Sequence, residues 1–347
     1  MYIKRILLVI VLGGLLVGGA FAYMVYNAFF VPNTKFNNPE AYLYIPSEAS
    51  FKEVKDQLEP LLENLDTFES AAERKGYASN IKGGKYRIKK GMNNNELINS
   101  LRSGNIPVKV AFNNQETLQS LAGRISIQIE ADSLSLLRAF EEVDFLRENG
   151  FDKDNALSLY IPNSYEFFWN TSAFDFRKRM LKEYDRFWNR ERKKKADALG
   201  MSPKEVVALA SIVHKESAKV DERPRVAGVY INRLKKGMLL QADPTVIYAL
   251  KKASGNFDQV IKRVLYKDLE LESPYNTYKY AGLPPGPITM PDISAVDAVL
   301  NAEKHDYYYF VANVKNFGYH MFAENLTQHN RNKKQYIRWI NAQKINR

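Results

Sequence analysis

The stretch MSPKEVVALASIVHKES, residues 201–217, carries the signals of a helix and one departure from them. Ser202 is followed at once by Pro203 and, three positions on, by Glu205. That is a capping box with proline at the first helical position, and it predicts a helix from Pro203 to about Ala218. Leu209, Ile212 and Val213 stand at i, i+3 and i+4, so they share one face. The next position of that stripe holds Glu216, where the pattern asks for another apolar side chain. A carboxyl group set against apolar neighbours loses water, which favours its neutral form and raises its pKa. An acid still protonated near neutral pH can donate a proton to a leaving group, as glycosidases do to the departing sugar oxygen. The plainer reading is a solvent-facing acid at a frayed helix end.

Downstream, Asp221 reads as the cap of a second helix, ERPRVAGVYINRLKKG, closed by Gly237, with Val226, Tyr230 and Leu234 inward. LLQADPTVIYAL follows, in which Asp243-Pro244 reads as a helix start and nothing more. Gln241, just before it, has no such explanation and is a candidate ligand contact. SPYNTYKYAGLPPGPITMP, 273–291, holds five prolines and two glycines, a stiff loop. There Tyr275, Asn276, Thr277 and Tyr278 offer ring faces, an amide and hydroxyls together, the means by which sugars are bound. A packed surface loop would look much the same. Tyr307–Val311 and Tyr319–Ala323 read as a hairpin turning at Asn316–Gly318. After it come Glu324, Asn325, Thr327, His329 and Asn330, either ligand contacts or the polar start of a last helix.

Composition bounds the classes. With 347 residues the chain is long enough for about two domains. It has no cysteine, hence no disulfide and no thiolate metal site. HKES lacks the second histidine of a zinc-binding His-Glu-x-x-His, and the four histidines, His214, His305, His320 and His329, form no metal set; no cofactor is implied. A net charge of +11 suits an anionic partner, or simply solubility. Lys4 and Arg5 precede ILLVIVLGGLLVGGAFAYMVYNAFF, Ile6 to Phe30, an uncharged run long enough to cross a bilayer. Tyr23, Tyr26 and Phe30 suit an aromatic belt, and the basic pair keeps the tail cytoplasmic. Ala20–Ala22 has the form of a signal-peptide cleavage site, but the apolar run continues past it, so a retained anchor is expected. Two helices joined by a tight turn could suggest a helix-turn-helix. The exported topology argues against that, and against nucleic acid as a partner.

Between anchor and residue 133, YLYIPSEASFKEVKDQL, GKYRIKKGMNNNELINSL and VKVAFNNQETLQSLAGRI each read as strand, polar turn and helix. Ile45, Ile88 and Phe112 would end the strands. The middle copy resembles the LysM module, which binds N-acetylglucosamine polymers, over about twenty residues. A plain scaffold explains it equally. From Ser133 to about Gly200 the chain reads as mainly helical, interrupted by LYIPNSYEFFWNTSAFDF, and its basic run is a solvated face.

Taken in order, LASIVHKES, VAGVYINRL, LLQADPTVIYAL, YNTYKYAGLPPGPI and YFVAN…HMFAENLTQHN resemble the membrane-anchored endolytic murein transglycosylases, the YceG-like or MltG family. The resemblance implies cleavage of nascent peptidoglycan strands outside the cytoplasmic membrane, leaving a 1,6-anhydro-N-acetylmuramic acid end without a metal. It places the catalytic acid at Glu216 and lines the cleft with Gln241, Tyr275, Asn276, Thr277, Tyr278 and Asn325. Peptidoglycan strands, the membrane and cell-wall synthases are the partners it suggests. His214 and Asn163 stand where that family's pattern is expected to carry acids. Alternatives are a muramidase using water with Asp243 or Glu324 as second acid, a non-catalytic glycan-binding scaffold, and a structural membrane protein. The expected architecture is α+β: a cytoplasmic tail at 1–5, a single transmembrane helix at 6–30, a LysM-like α/β module at 31–107, and a larger mixed α+β catalytic domain at 108–347.

Overall fold

A computed structural model of the chain describes residues 2–342. Met1 of the expected tail and residues 343–347 of the expected catalytic domain lie outside the described residues. The chain divides into two compact units.

The first unit runs to Val110 and takes in Ile127–Ala131 and Tyr165–Ser172. It begins with α1 (Tyr2–Phe30), which is long and apolar enough to cross a membrane, with a mean hydropathy of 2.5 over an 18-residue window; most of its apolar side chains are exposed, while Ala28 is buried and Phe29 packs against the core that follows. β1 (Glu40–Ile45), α2 (Phe51–Leu58), α3 (Leu65–Arg74), β2 (Gly84–Lys89) and α4 (Asn94–Ser103) follow. The expected strands and helices all form, but the repeat does not exist in space. β1 pairs antiparallel with β2, Ile45 opposite Gly84, and two helices lie between them. Leu43, Ile45, Val54, Leu58, Phe68, Ile88, Leu97 and Leu101 close one core, because alternate strand positions and i, i+4 helix positions point the same way. The polar stretch that follows α1 is stitched into this unit. The Asn33 backbone N–H donates to Met92 O at 2.9 Å, and its side-chain amide to Asn94 Oδ1 at 2.7 Å.

Sequence patterning puts 127–131 and 165–172 with the larger domain, whereas the chain returns to the first unit there. Polar and aromatic contacts explain the return. The Glu130 carboxylate accepts from Ser47 N at 2.7 Å and Ser47 Oγ at 2.6 Å, and the Trp169 ring stands edge-on to Tyr44 at 5.3 Å. Neither signal has a hydrophobic period.

β3 (Pro107–Phe112) pairs with β4 (Asn163–Phe168). The second unit holds α5 (Leu118–Ser126), α6 (Ser133–Phe140), α7 (Val143–Glu148), α8 (Ala173–Phe187), α9 (Arg190–Ala198), α10 (Pro203–Glu216), α11 (Arg223–Lys235), α12 (Asp243–Ser254) and α13 (Ile293–Leu300). The hairpin β5 (Tyr309–Ala312) and β6 (His320–Ala323) pairs Phe310 with Phe322, and α14 (Leu326–Ala342) ends the described chain. Helices and short two-stranded sheets make the molecule α+β, as its sequence implies.

α10 is the axis of the second core. Every residue from Val206 to Val213 is buried, so the helix is covered on all sides. Full burial of each large aliphatic side chain contributes about 1.5–3 kcal/mol, and Leu209, Ile212 and Val213 are all fully buried. The capping box forms as the sequence predicts: Ser202 Oγ accepts from Glu205 N, and the Glu205 carboxylate from Ser202 N at 2.7 Å. Buried Ser211 meets its hydrogen-bonding need by donating to Ala208 O at 2.7 Å and accepting from Ile288 N at 3.0 Å.

Candidate active site

Glu216 is the last residue of α10, and the chain leaves the helix in an extended conformation at Ser217. Polar contacts hold that exit in place. Ser217 Oγ donates to Glu222 Oε2 at 3.1 Å, and Arg223 Nε donates to Ser217 O at 3.0 Å. Glu222, itself buried, accepts from the His320 backbone N–H at 2.7 Å and pairs with His320 Nδ1 at 2.8 Å. The helix end is thus tied to β6, and the backbone that carries Glu216 has little freedom. Asp221 is not the cap of α11. Glu222 occupies that position without capping through its side chain, and Asp221 accepts from Tyr319 Oη at 3.0 Å.

Glu216 opens onto a cleft of about 430 Å³, lined by five further segments. α11 supplies Tyr230 and Arg233; the turn into α12 supplies Leu240, Gln241 and Asp243; the proline-rich loop supplies Tyr278. β5 supplies Tyr309 and Phe310, and α14 supplies Leu326, His329, Asn330 and Lys333. Tyr230 Oη donates to Glu216 Oε1 at 2.8 Å, with its ring buried edge-on against Phe310.

Loss of water pushes the Glu216 carboxyl up to about 7, and nearby Asp243 pushes the same way. The Tyr230 hydrogen bond and the Arg233 charge pull it down, and desolvation wins. The side chain is therefore an acid that holds its proton near neutral pH and can still give it up, which is what general acid–base work requires.

Gln241 is the one non-glycine among the described residues with positive φ, at 50°. Its N–H donates to Thr277 O at 3.0 Å, and Ala242 N donates to Thr277 Oγ1 at 3.0 Å. Those two bonds hold the unfavourable turn, a kind of backbone strain that gathers at functional sites. Asp243 needs a correction. Ala242 takes the capping position, so the Asp243 side chain caps nothing and faces the cleft, where it accepts from Tyr278 Oη at 2.6 Å.

The predicted binding residues separate into three groups. Gln241 and Tyr278 line the cleft with Glu216. Tyr275, Asn276 and Thr277 are almost fully buried and lie behind it. Tyr275 Oη contacts Asp154 Oδ1 at 3.3 Å, and the Asn276 amide donates to Leu269 O and Leu271 O, both at 2.9 Å. Asn276 Oδ1 accepts from Tyr278 N at 3.0 Å, and Thr277 Oγ1 lies 2.8 Å from Thr245 Oγ1. They fix the shape of the loop that presents Tyr278. Asn325 is exposed and accepts from Gln328 N at 3.0 Å, starting α14; its neighbours His329 and Asn330 reach the cleft instead.

Tyr230 has no chemical signal in the sequence beyond its place on the inner face of a predicted helix, and Arg233 has none. The His329 position was visible only as part of a polar cluster. Among the described residues no three His, Asp or Glu side chains gather closely enough to hold a metal ion.

The curated protein of Bacillus subtilis (strain 168) named endolytic murein transglycosylase is 32% identical over 345 residues, covering 93% of this chain and 91% of that one. A protein of the same name from Streptococcus pneumoniae (strain D39) is 38% identical over 133 residues, 38% of this chain and 24% of its own length. The crystal structure of a yceG-like protein of Listeria monocytogenes superposes with a TM-score of 0.55 at 28% identity, over 85% of this chain and 99% of that one. The YceG-like family profile matches residues 43–335. With that span and the full-length Bacillus relative, the chain belongs to the YceG-like family.

Proposed function

We propose that this chain is an endolytic murein transglycosylase that cleaves the N-acetylmuramic acid–N-acetylglucosamine bond, with Glu216 as acid and then base. The observation that carries the reading is the cleft carboxyl of Glu216, raised to about 7 by burial and held by Tyr230. The names of the relatives agree with it. Protonated Glu216 gives its proton to the glycosidic oxygen as the bond to the muramic C1 breaks. The electron pair leaves with the N-acetylglucosamine oxygen, and C1 becomes oxocarbenium-like. The Glu216 carboxylate then takes the proton of the C6 hydroxyl, whose oxygen closes on C1. The product is the 1,6-anhydro ring, the proton returns to Glu216, and no water is consumed.

Tyr230 steadies the carboxylate between the two transfers. Gln241 and Tyr278 contact the strand, Tyr275, Asn276 and Thr277 act from behind through the contacts above, and Asn325 starts the helix that brings His329 and Asn330 to the cleft. α1 anchors the chain, with Lys4 and Arg5 on the cytoplasmic side.

A second reading has one observation in its favour: Asp243 opens into the same cleft. A second carboxylate there could direct water, giving a muramidase. Borohydride treatment of strands cut by the full chain separates the two. Ends that resist reduction and carry the anhydro mass support the transglycosylase; reducible muramic ends support the hydrolase.

A further inference from the structure

The cleft has a cationic side, of which only Arg233 bears on the acid–base chemistry of Glu216, by drawing its pKa down. Arg233 is buried, at 8% exposure, and its hydrogen bonds among the described residues go to backbone carbonyls rather than to a carboxylate. Its acceptors are backbone carbonyls: Tyr308 O at 2.6 Å from Nε, and Leu240 O at 2.8 Å and Leu239 O at 3.3 Å from Nη1. A buried charge is ordinarily paired. Lys333, one of the exposed residues of α14, lines the same cleft and also has no carboxylate partner. Between them His329 stacks on the Tyr309 ring at 5.2 Å, and its Nδ1 is buried with no hydrogen-bond partner. Proximity to Lys333 and Arg233 adds to burial in disfavouring a charge on that ring. Two unpaired cations and an unpartnered ring nitrogen therefore converge on one cleft that also holds Glu216.

Resting on the transglycosylase reading, we propose that Arg233, His329 and Lys333 form a carboxylate-binding lobe that selects the muramic unit of the strand through its acidic substituent. The two sugars of the strand differ in the lactyl ether at C3. That ether ends in a carboxyl group, free on denuded strands and joined to a peptide bearing its own carboxylates on nascent ones. Either source presents the same anion. A guanidinium charge and an ammonium suit it, and its capture sets which side of each glycosidic bond meets Glu216.

Binding to the full chain in detergent, carrying Glu216→Gln to stop turnover, tests the proposal by calorimetry. The ligands are three tetrasaccharides: one with free lactyl carboxylates, one with those groups capped as methyl amides, and one with L-Ala-D-isoglutamate stems. Lys333→Glu, on an exposed helix position, should weaken a charged ligand about tenfold, as removal of a close charge partner does, and leave the capped one within about twofold. His329→Gln should act in the same direction. Loss on the free-carboxylate ligand alone identifies the lactyl group as the source; loss on the stem-bearing ligand alone identifies the peptide. Equal weakening of all three ligands, or of none, overturns the lobe, as does failure of the parent chain to bind any of them. Strand cleavage by the unmutated chain is assayed alongside. Cleavage with charge-indifferent binding removes the lobe only, and charge-selective binding without cleavage removes the reaction only.

Discussion

In the proposed reaction Glu216 carries opposite demands: a carboxyl that must sit in a desolvated cleft and still ionise. Its raised pKa, about 7 against an ordinary 4.5, has a sign for stability. Below pH 4.5 both folded and unfolded chains carry the proton and nothing is lost. As pH rises towards 7 the unfolded chain releases it more readily, and the fold is disfavoured by up to about 3 kcal/mol. Glu216→Gln is therefore expected to raise Tm at pH 8, to raise it less at pH 5.5, and to have no such effect near pH 4, by scanning calorimetry. The same substitution is expected to cut strand cleavage about 10³-fold. In the wild type, kcat/KM is expected to fall as pH rises through about 7, because the protonated acid disappears. Tyr230→Phe removes a hydrogen bond that favours the ionised form, so its descending limb should lie at higher pH than the wild type's. A limb that stays in place would show that Tyr230 does not tune the acid. Glu216 itself was legible in the sequence, because it interrupts an apolar stripe. Asp243 was misread, because Asp-Pro is the usual helix start and only the extended backbone at Ala242 shows that the cap lies one residue earlier.

At the scale of elements, the site is made by α10, α11 and the loop beyond α12, and each was legible to a different degree. α10 announced its start by Ser202, Pro203 and Glu205. α11 announced its inner face by Val226 and Tyr230, but not what that face meets. Gly228 shows why: a Cβ there would come within 2.4 Å of Glu303 O and 2.5 Å of His305 Nε2. The close approach of the segment after α13 depends on that missing methyl, and sequence patterning registers only an unexplained glycine in a helix. Gly228→Ala is expected to destabilise the second unit by about 1–3 kcal/mol through overpacking, read as a lower midpoint in urea. An unchanged midpoint would mean that the segment yields at no cost. The run Tyr275–Tyr278 was legible as a stiff loop of aromatic and polar residues, but not as to which side chain points where. In a tight turn neighbouring side chains diverge, and hydrogen-bonding partners far along the chain, Asp154 for Tyr275 and Thr245 for Thr277, decide which are buried.

For the whole molecule, α1 and the cleft belong to separate units, and every residue that lines the cleft is in the second. Anchoring and chemistry should therefore come apart. Removal of residues 1–24, which spares the Ala28 carbonyl that accepts from Asn94 at 2.8 Å, is expected to abolish sedimentation with membranes. It should leave the turnover of soluble strands within about twofold, since α1 adds no group to the cleft. A large fall in turnover would show that the anchor shapes the catalytic unit. The division into units was the least legible feature of the sequence. The chain returns twice to the first unit through isolated polar and aromatic contacts, and no periodicity marks them.

The most direct test is cleavage of peptidoglycan strands in water enriched in ¹⁸O, followed by mass spectrometry of the new ends. If the C6 hydroxyl is the nucleophile and Glu216 its only acid and base, the new muramic ends carry no ¹⁸O, have the anhydro mass, and vanish with Glu216→Gln. One ¹⁸O per new end would show that water attacks C1 and that Asp243, or another acid, shares the work; ends that persist in Glu216→Gln would take the chemistry away from Glu216 altogether.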